Sequence, residues 1–301
     1  MTQPLVTLGV PRSPGPPARP LVRTTELDRY FDYCLQPYPP RGPTEGKLRG
    51  ESLLWNSFDV AGAPPDLDDA VRAIQSACGR DMTVFGVKHQ AGRLWWELYF
   101  YESLTERAAK VEFVADVVKP WFTIEPRIRE SIPYFMFSFD MKPDSTATKT
   151  VDCVNLYMPY YQVQGGRSYK VTVDKPFEMD NVYRFYHPKT EIREILHEIK
   201  NSVIVDFTRL PVSRVLFPEL YECRRICVAK KRYADCVYYS GIDVDALLWF
   251  FQRFAYPQPV IDFVTAHKGD LDHLLFDVGI DYTVDAAGEI SITKTSYYST
   301  V

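Results

Sequence analysis

The stretch Arg93-Leu-Trp-Trp-Glu-Leu-Tyr-Phe-Tyr101 places Leu94, Trp96, Leu98 and Phe100 on one parity and Arg93, Trp95, Glu97, Tyr99 and Tyr101 on the other. Side chains alternate across a β-strand, so this is a strand with one greasy face and one face that is aromatic and charged. The greasy face suits covering helices. The other suits a cavity wall, because a tyrosine ring is apolar yet carries a hydroxyl. Seventeen of the twenty tyrosines lie after residue 93, concentrated in strand-like segments.

Working outward, the pattern recurs as five hairpins between Met82 and Val301. Thr83 to His89 joins Arg93 to Tyr101 through the tight turn Gln90-Ala91-Gly92. Tyr134 to Lys142 pairs with Lys149 to Pro159, Ser168 to Val173 with Asn181 to Tyr186, and Cys223 to Lys230 with Ala234 to Ser240. Leu274 to Tyr282 and Ile290 to Tyr298, linked by Asp285-Ala286-Ala287-Gly288, make the last. Helices are expected at Thr25 to Leu35, Asp66 to Ala77, Thr105 to Val118 and Thr190 to Val203. Asp243 caps a further helix rich in Leu247, Leu248, Phe250, Phe251 and Phe254, which Pro257 and Pro259 end before a last helical stretch through Thr265. Five antiparallel hairpins leave two bare sheet edges unless the sheet closes. The expected fold is therefore α+β, a ten-stranded antiparallel barrel ringed by helices, with two separate open α+β sheets as the alternative. A barrel of about ten strands is too wide for side chains alone to fill, so its lumen should hold a ligand.

A net charge of −4 gives no general pull toward nucleic acid or anionic lipid, and no apolar run is long enough to span a membrane. The N-terminus lacks a basic segment followed by an apolar stretch, and a cytoplasmic location is expected. The first 25 residues, with five prolines from Pro11 to Pro20, read as a flexible lead to a single barrel domain over residues 26–301. Six scattered cysteines without a CxxC pair read as buried thiols. Asp66-Leu67-Asp68-Asp69 reads as the acidic first turn of a helix, favoured by the helix dipole. No metal-ligand set, Walker loop or zincin spacing is present.

The layout resembles the aromatic prenyltransferases of the ABBA type, and its length is similar to the cyanobactin-type peptide prenyltransferases. Three stretches carry the resemblance: Arg93 to Glu102; Phe137-Ser-Phe-Asp-Met141 with Asp152-Cys-Val-Asn-Leu-Tyr-Met-Pro159; and Phe276-Asp-Val-Gly-Ile280 with Ile290 to Tyr298. The resemblance implies a barrel of repeated α-β-β-α units, the PT barrel, with the active site inside. It implies transfer of a dimethylallyl or longer group from an allylic diphosphate to a peptide or small aromatic acceptor. Where fungal members of the wider group commonly carry Lys-x-Tyr, this chain has Asn155-Leu156-Tyr157, with Lys149 farther back on the same face.

Such a reaction needs cations for the departing diphosphate. Strand alternation points Lys88, Arg93, Lys149, Lys170, Arg184 and Arg225 inward, where lysine and arginine would bind it by charge-assisted hydrogen bonds. Tyr99, Tyr157, Tyr186, Tyr238 and Tyr297, with Trp95, would surround the prenyl chain, since π faces stabilise a carbocation without attacking it. Glu97, flanked by aromatics, is the candidate general base, or else an ion-pair partner of Arg93 or Lys88. Magnesium is admitted only as a companion carried by the diphosphate oxygens. The alternative function is a non-catalytic barrel or α+β module that binds an apolar or aromatic ligand.

Overall fold

The computed structural model describes residues 19–101, 110–128, 132–159, 164–175 and 177–301. In chain order its elements are α1 (Glu51–Ala61), α2 (Pro65–Cys78), β1 (Thr83–Gln90), β2 (Arg93–Tyr101), α3 (Val111–Val118), β3 (Thr123–Ile124) and β4 (Met136–Met141). Next come α4 (Ser145–Thr148), β5 (Thr150–Val151), β6 (Cys153–Pro159), β7 (Gly165–Thr172), β8 (Glu178–Tyr186) and α5 (Ile192–Lys200). Last are β9 (Arg225–Lys231), β10 (Asp235–Ile242), α6 (Val244–Arg253), α7 (Gln258–Ala266), α8 (Lys268–Leu271), β11 (Phe276–Val284) and β12 (Ile290–Thr300).

Ten of the strands close a barrel in the ring order β1-β12-β11-β10-β9-β8-β7-β6-β4-β2, every neighbour antiparallel. The two-residue β3 and β5 pair in parallel outside it. All five expected hairpins form, and closure comes from β1 on β12, running from Val84 opposite Thr300 to His89 opposite Thr295. The five hairpin turns lie at one end of the barrel, which we call the upper end.

The core lies between the barrel's outer face and the helices. Leu94, Trp96, Leu98 and Phe100 of β2 are buried as their parity requires. Phe58 of α1 meets Trp96 edge-on with ring centres 4.3 Å apart, and the Trp96 indole donates to Ser57 Oγ at 2.8 Å. Helix α1 has no counterpart in the sequence reading. Its residues Leu53, Leu54, Trp55, Ser57 and Phe58 are buried nearly all round, which blurs the amphipathic stripe that marks a surface helix.

A helix at Thr25 to Leu35 does not form. Asp28 and Asp32 capture local backbone instead: Asp28 Oδ2 accepts from Thr25 N at 2.8 Å, and Asp32 Oδ1 accepts from Cys34 N at 2.9 Å and Gln36 N at 3.0 Å. Such side-chain bonds compete with the helical ladder. The expected helix from Thr105 begins at Val111, with 105–109 outside the described residues. Of the proline-rich lead, residues 1–18 also lie outside them, and the Arg19 guanidinium is held by Asp59 at 2.8 Å and Asp68 at 2.6 Å. Asp68 thus sits in the first turn of α2 and serves an ion pair as well.

Phe58 fills the joint between α1 and the barrel wall, and deleting a buried aromatic ring leaves a void that packed surroundings close only in part. Phe58→Ala is expected to destabilise the protein by about 3–5 kcal/mol in denaturant unfolding.

Candidate functional site

Two cavities occupy the lumen, one above the other, of about 610 Å³ and about 450 Å³. Tyr99, Tyr157, Asn181, Tyr238 and Tyr298 border both and form a belt between them. Ring centres run in series from Tyr157 to Tyr99 (6.3 Å), Tyr99 to Tyr298 (5.9 Å) and Tyr298 to Tyr238 (6.2 Å). Glycines on the inward face make room for the belt. A Cβ on Gly86 would lie 2.6 Å from Tyr298 Cε1, and one on Gly279 would lie 2.7 Å from the Tyr238 ring. Burial pushes the hydroxyls of Tyr99, Tyr157, Tyr238 and Tyr298 well above the usual tyrosine range, so the belt stays neutral.

The upper chamber is charged. Lys88 Nζ bonds Glu97 Oε2 at 2.7 Å and Asp140 Oδ1 at 2.6 Å. Burial alone would neutralise this lysine, but the two carboxylates outweigh it and raise its affinity for the proton. Glu97 takes further bonds from Tyr99 OH at 2.5 Å, Asn155 Nδ2 at 3.1 Å and Ser138 Oγ. Burial pushes its carboxyl up, Lys88 and these donors pull it down more strongly, and it settles at about 2. A carboxylate offers about four lone-pair sites, and Glu97 uses all of them. That geometry is the ion-pair alternative for Glu97, with Lys88 and not Arg93 as partner. Asp140 keeps free lone pairs, its side chain 40% exposed.

A second cluster lies outside the expected site residues. Lys231 and Lys294 share Asp281, at 2.8 and 3.1 Å, leaving one positive charge in excess within the trio. Burial would raise Asp281, yet the two lysines hold it well below the usual carboxylate range. Lys294 is pushed down by burial first and by Lys231 and Lys88 as well, despite Asp281. Over its whole wall the chamber carries five lysines and six carboxylates, so the lysines are largely spoken for.

The lower chamber is aromatic and apolar, walled by Tyr33, Val84, Tyr101, Met136, Tyr183, Phe185 and the thiols of Cys34 and Cys227. All six cysteines are free. Tyr33 belongs to the loop of residues 31–37, pinned by a bridge between Phe31 and Pro37. Asp277 Oδ2 accepts Tyr33 N and its Oδ1 accepts Gly241 N, both at 2.8 Å. Burial first, and then the charge of Asp32, push the Asp277 carboxyl up to about 7.

The structure brings together Lys88, Trp95, Glu97, Tyr99, Tyr157, Lys170 and Tyr238 of the expected site. Lys170 stands near the mouth, 45% exposed and paired with Asp180 at 2.8 Å. Other expectations need correction. Arg184 and Tyr186 point outward and bond Glu198 on α5 at 3.1 and 3.2 Å, while Tyr183 and Phe185 take the inward places. With Arg184 and Tyr186 expected inside, Tyr183 and Phe185 fall outside by parity, and the apolar lower chamber reverses that assignment. Tyr297 also points outward, against Phe251 at 4.9 Å with its hydroxyl on Leu53 O, and Tyr298 is the inward residue. The cause is a bulge: Asp281 faces Lys294 but Tyr282 faces Ile292, so Thr293 is an extra residue that shifts the parity of everything after it.

Lys149 is exposed and lies on no strand; it follows the single turn α4 in a left-handed conformation (φ 56°). Arg93 is exposed at the β1–β2 turn and borders a separate surface groove. Arg225 does face inward, but at the lower end, beside Phe185 and Gln36. Lys231, the next inward position after Cys227 and Ala229, lies one residue past the expected strand end at Lys230. Among the described residues no group of three metal-ligating side chains forms, and no helix is long and apolar enough to cross a membrane. Compared with models of known families and with curated proteins, the chain matches none.

Breaking the Lys88 pair leaves a buried carboxylate uncompensated. Lys88→Met is expected to cost about 3–5 kcal/mol, and adding Glu97→Gln should recover much of it in a double-mutant cycle. Full additivity would show that the pair is not coupled. Asp277 has its own signature. Its folded value lies above the unfolded one, so the stability it contributes at low pH is lost as pH rises from about 4 toward about 7. Asp277→Asn, which cannot ionise, is expected to flatten that part of the Tm-versus-pH curve, whatever constant cost it adds.

Proposed function

We propose that this barrel transfers a prenyl group from an allylic diphosphate to an electron-rich side chain of a peptide or to a small aromatic acceptor. The observation that carries the reading is the stacking of a lysine-bearing chamber directly on an aromatic, apolar one. An amphiphile with an anionic head and a hydrocarbon chain has the same division. The head would dock on Lys231 and Lys294, the trio with positive charge in excess, and the allylic carbon would lie at the tyrosine belt. There the carbon–oxygen bond breaks and the diphosphate departs with the electron pair. Neutral tyrosine faces then stabilise the cation without capturing it. The acceptor carbon or heteroatom forms the new bond and gives up its proton. Of the two carboxylates on Lys88, Asp140 has lone pairs to take that proton, and Glu97 serves to hold Lys88 and Tyr99 in place. The layout shared with the ABBA-type enzymes supports the reading.

Six carboxylates against five lysines do not suit a bare diphosphate. The head would therefore arrive as its magnesium complex, with carboxylates of the wall other than Asp140, such as Asp152 or Asp180, able to share the ion, as magnesium often binds through one or two carboxylates plus substrate phosphates. The same balance favours a second reading, in which the barrel carries an apolar ligand with a neutral or zwitterionic head and does no chemistry.

Incubation with dimethylallyl and geranyl diphosphates and a panel of aromatic acids, indoles and Tyr-, Trp-, His- or Arg-containing peptides, followed by mass spectrometry, tests the reading. A prenyl mass increment on an acceptor is the expected result, with magnesium strengthening diphosphate binding. Lys294→Met leaves the Lys231–Asp281 pair intact and should weaken diphosphate affinity by about tenfold or more, the worth of a hydrogen bond to a charged group. No product, and no diphosphate binding with or without magnesium, would leave the carrier reading in possession.

A further inference from the structure

We propose that the loop of residues 31–37, through Tyr33 and Cys34, is the floor of the lower chamber and sets the length of apolar chain that the barrel accepts. The loop belongs to none of the ten strands, yet it is fastened across the lumen. At one side the Tyr101 hydroxyl of β2 donates to Tyr33 O, and at the other Arg225 of β9 donates to Gln36 Oε1. In the ring order β2 and β9 stand five strands apart in either direction, so the loop bridges opposite walls. Asp277 of β11 adds a third attachment, to Tyr33 N.

The fastening carries the Tyr33 side chain up against the belt. Its ring stacks on Tyr238 with centres 6.0 Å apart and planes 20° apart, and it lies 5.7 Å from Tyr298 and 6.3 Å from Phe185. The Tyr33 hydroxyl is buried beside the Cys227 thiol on the wall of the same chamber. Cys34 borders the same cavity, and burial raises its thiol well above the usual range, so it acts there as a small apolar group.

A cavity of about 450 Å³ beneath the belt is far more than five carbons fill. Unfilled apolar wall forfeits binding, so affinity should grow with chain length until the chain meets Tyr33, and then stop growing. The inference extends the transferase reading to its donor, but it depends on that reading only where turnover is measured.

The test uses uncharged chains, so that the floor is read apart from the diphosphate site. Prenyl alcohols of five, ten and fifteen carbons compete with the fluorophore N-phenyl-1-naphthylamine on the wild type, Tyr33→Ala, Tyr33→Phe and Cys34→Leu. In the wild type affinity should rise from five to ten carbons and level off by fifteen. Tyr33→Ala should gain about tenfold for the fifteen-carbon chain, the worth of burying two further methylenes. Tyr33→Phe should keep the wild-type profile, and Cys34→Leu, which fills the floor without touching the loop's attachments, should weaken the ten-carbon chain. Should Tyr33→Ala fail to fold, Cys34→Leu still decides. Identical length profiles across the folded variants would overturn the proposal, whatever the turnover. Shifted profiles with no product from the matching diphosphates would keep the floor and remove the transferase; shifted profiles with a parallel shift in donor preference would support both.

Discussion

Everything inside this molecule depends on the pairing of its first barrel strand with its last. Val84 to His89 of β1 lie along Thr300 to Thr295 of β12, and the ladder is locked at its end where Val301 N donates to Thr83 O and Asp81 N donates to Val301 O. Without that contact the sheet has two edges and two faces, one of them carrying buried-type charges such as Glu97 and Lys88 out into water. With it, the inner face becomes an interior. The charges then need partners supplied by other strands, and the lysine–carboxylate clusters are the consequence.

Those clusters are placed where they cost least. Taking an ion out of water is tolerable only if opposite charge and further hydrogen bonds replace the lost hydration. Lys88 obtains this from β2 and β4, and Asp281 of β11 obtains it from β9 and β12. All lie in the upper half of the lumen, beneath the hairpin turns, where Asp140 and Lys170 still reach solvent. The lower half, floored by Tyr33, holds aromatic rings and thiols. Polarity along the barrel axis therefore divides the lumen into a charged upper half and an aromatic lower half.

The strands were legible because alternation is a local signal: all ten form, and all but one lie within about three residues of their expected limits, the strand expected from Lys149 beginning only at Cys153. The phase of the alternation was less so. On β2 the two faces differ so sharply that Lys88-facing Glu97 and helix-facing Trp96 could be told apart. On β8, Tyr183, Arg184, Phe185 and Tyr186 offer rings on both sides, and only the apolar lower chamber explains why Phe185 turns in and Arg184 out. On β12 the alternation that pairs Ile290 and Ile292 with Val284 and Tyr282 breaks at Thr293, where one extra residue exchanges Tyr297 for Tyr298 and conceals Lys294. A bulge carries no residue signature here, so nothing short of the partner strand reveals it. The loop of residues 31–37 escaped for another reason: its conformation is set by bonds to Asp277, Arg225 and Tyr101, all far away in sequence.

The belt joins these threads. Tyr238 and Tyr298 can take their places in the lumen only because the inward neighbours Gly279 and Gly86 have no side chains, an arrangement that gives up strand propensity for space. That sacrifice makes little sense if the tyrosines are filler, since two larger residues at the glycine positions would fill the same volume and strengthen the strands. It makes sense if ring faces must be presented between a charged chamber and an apolar one. A ligand that spans both chambers passes those faces at the point where its polar and apolar parts join. For an allylic diphosphate, the donor proposed above, that junction is the bond that would break, and the neutral rings, held from ionising by burial, would meet the positive charge where it first appears.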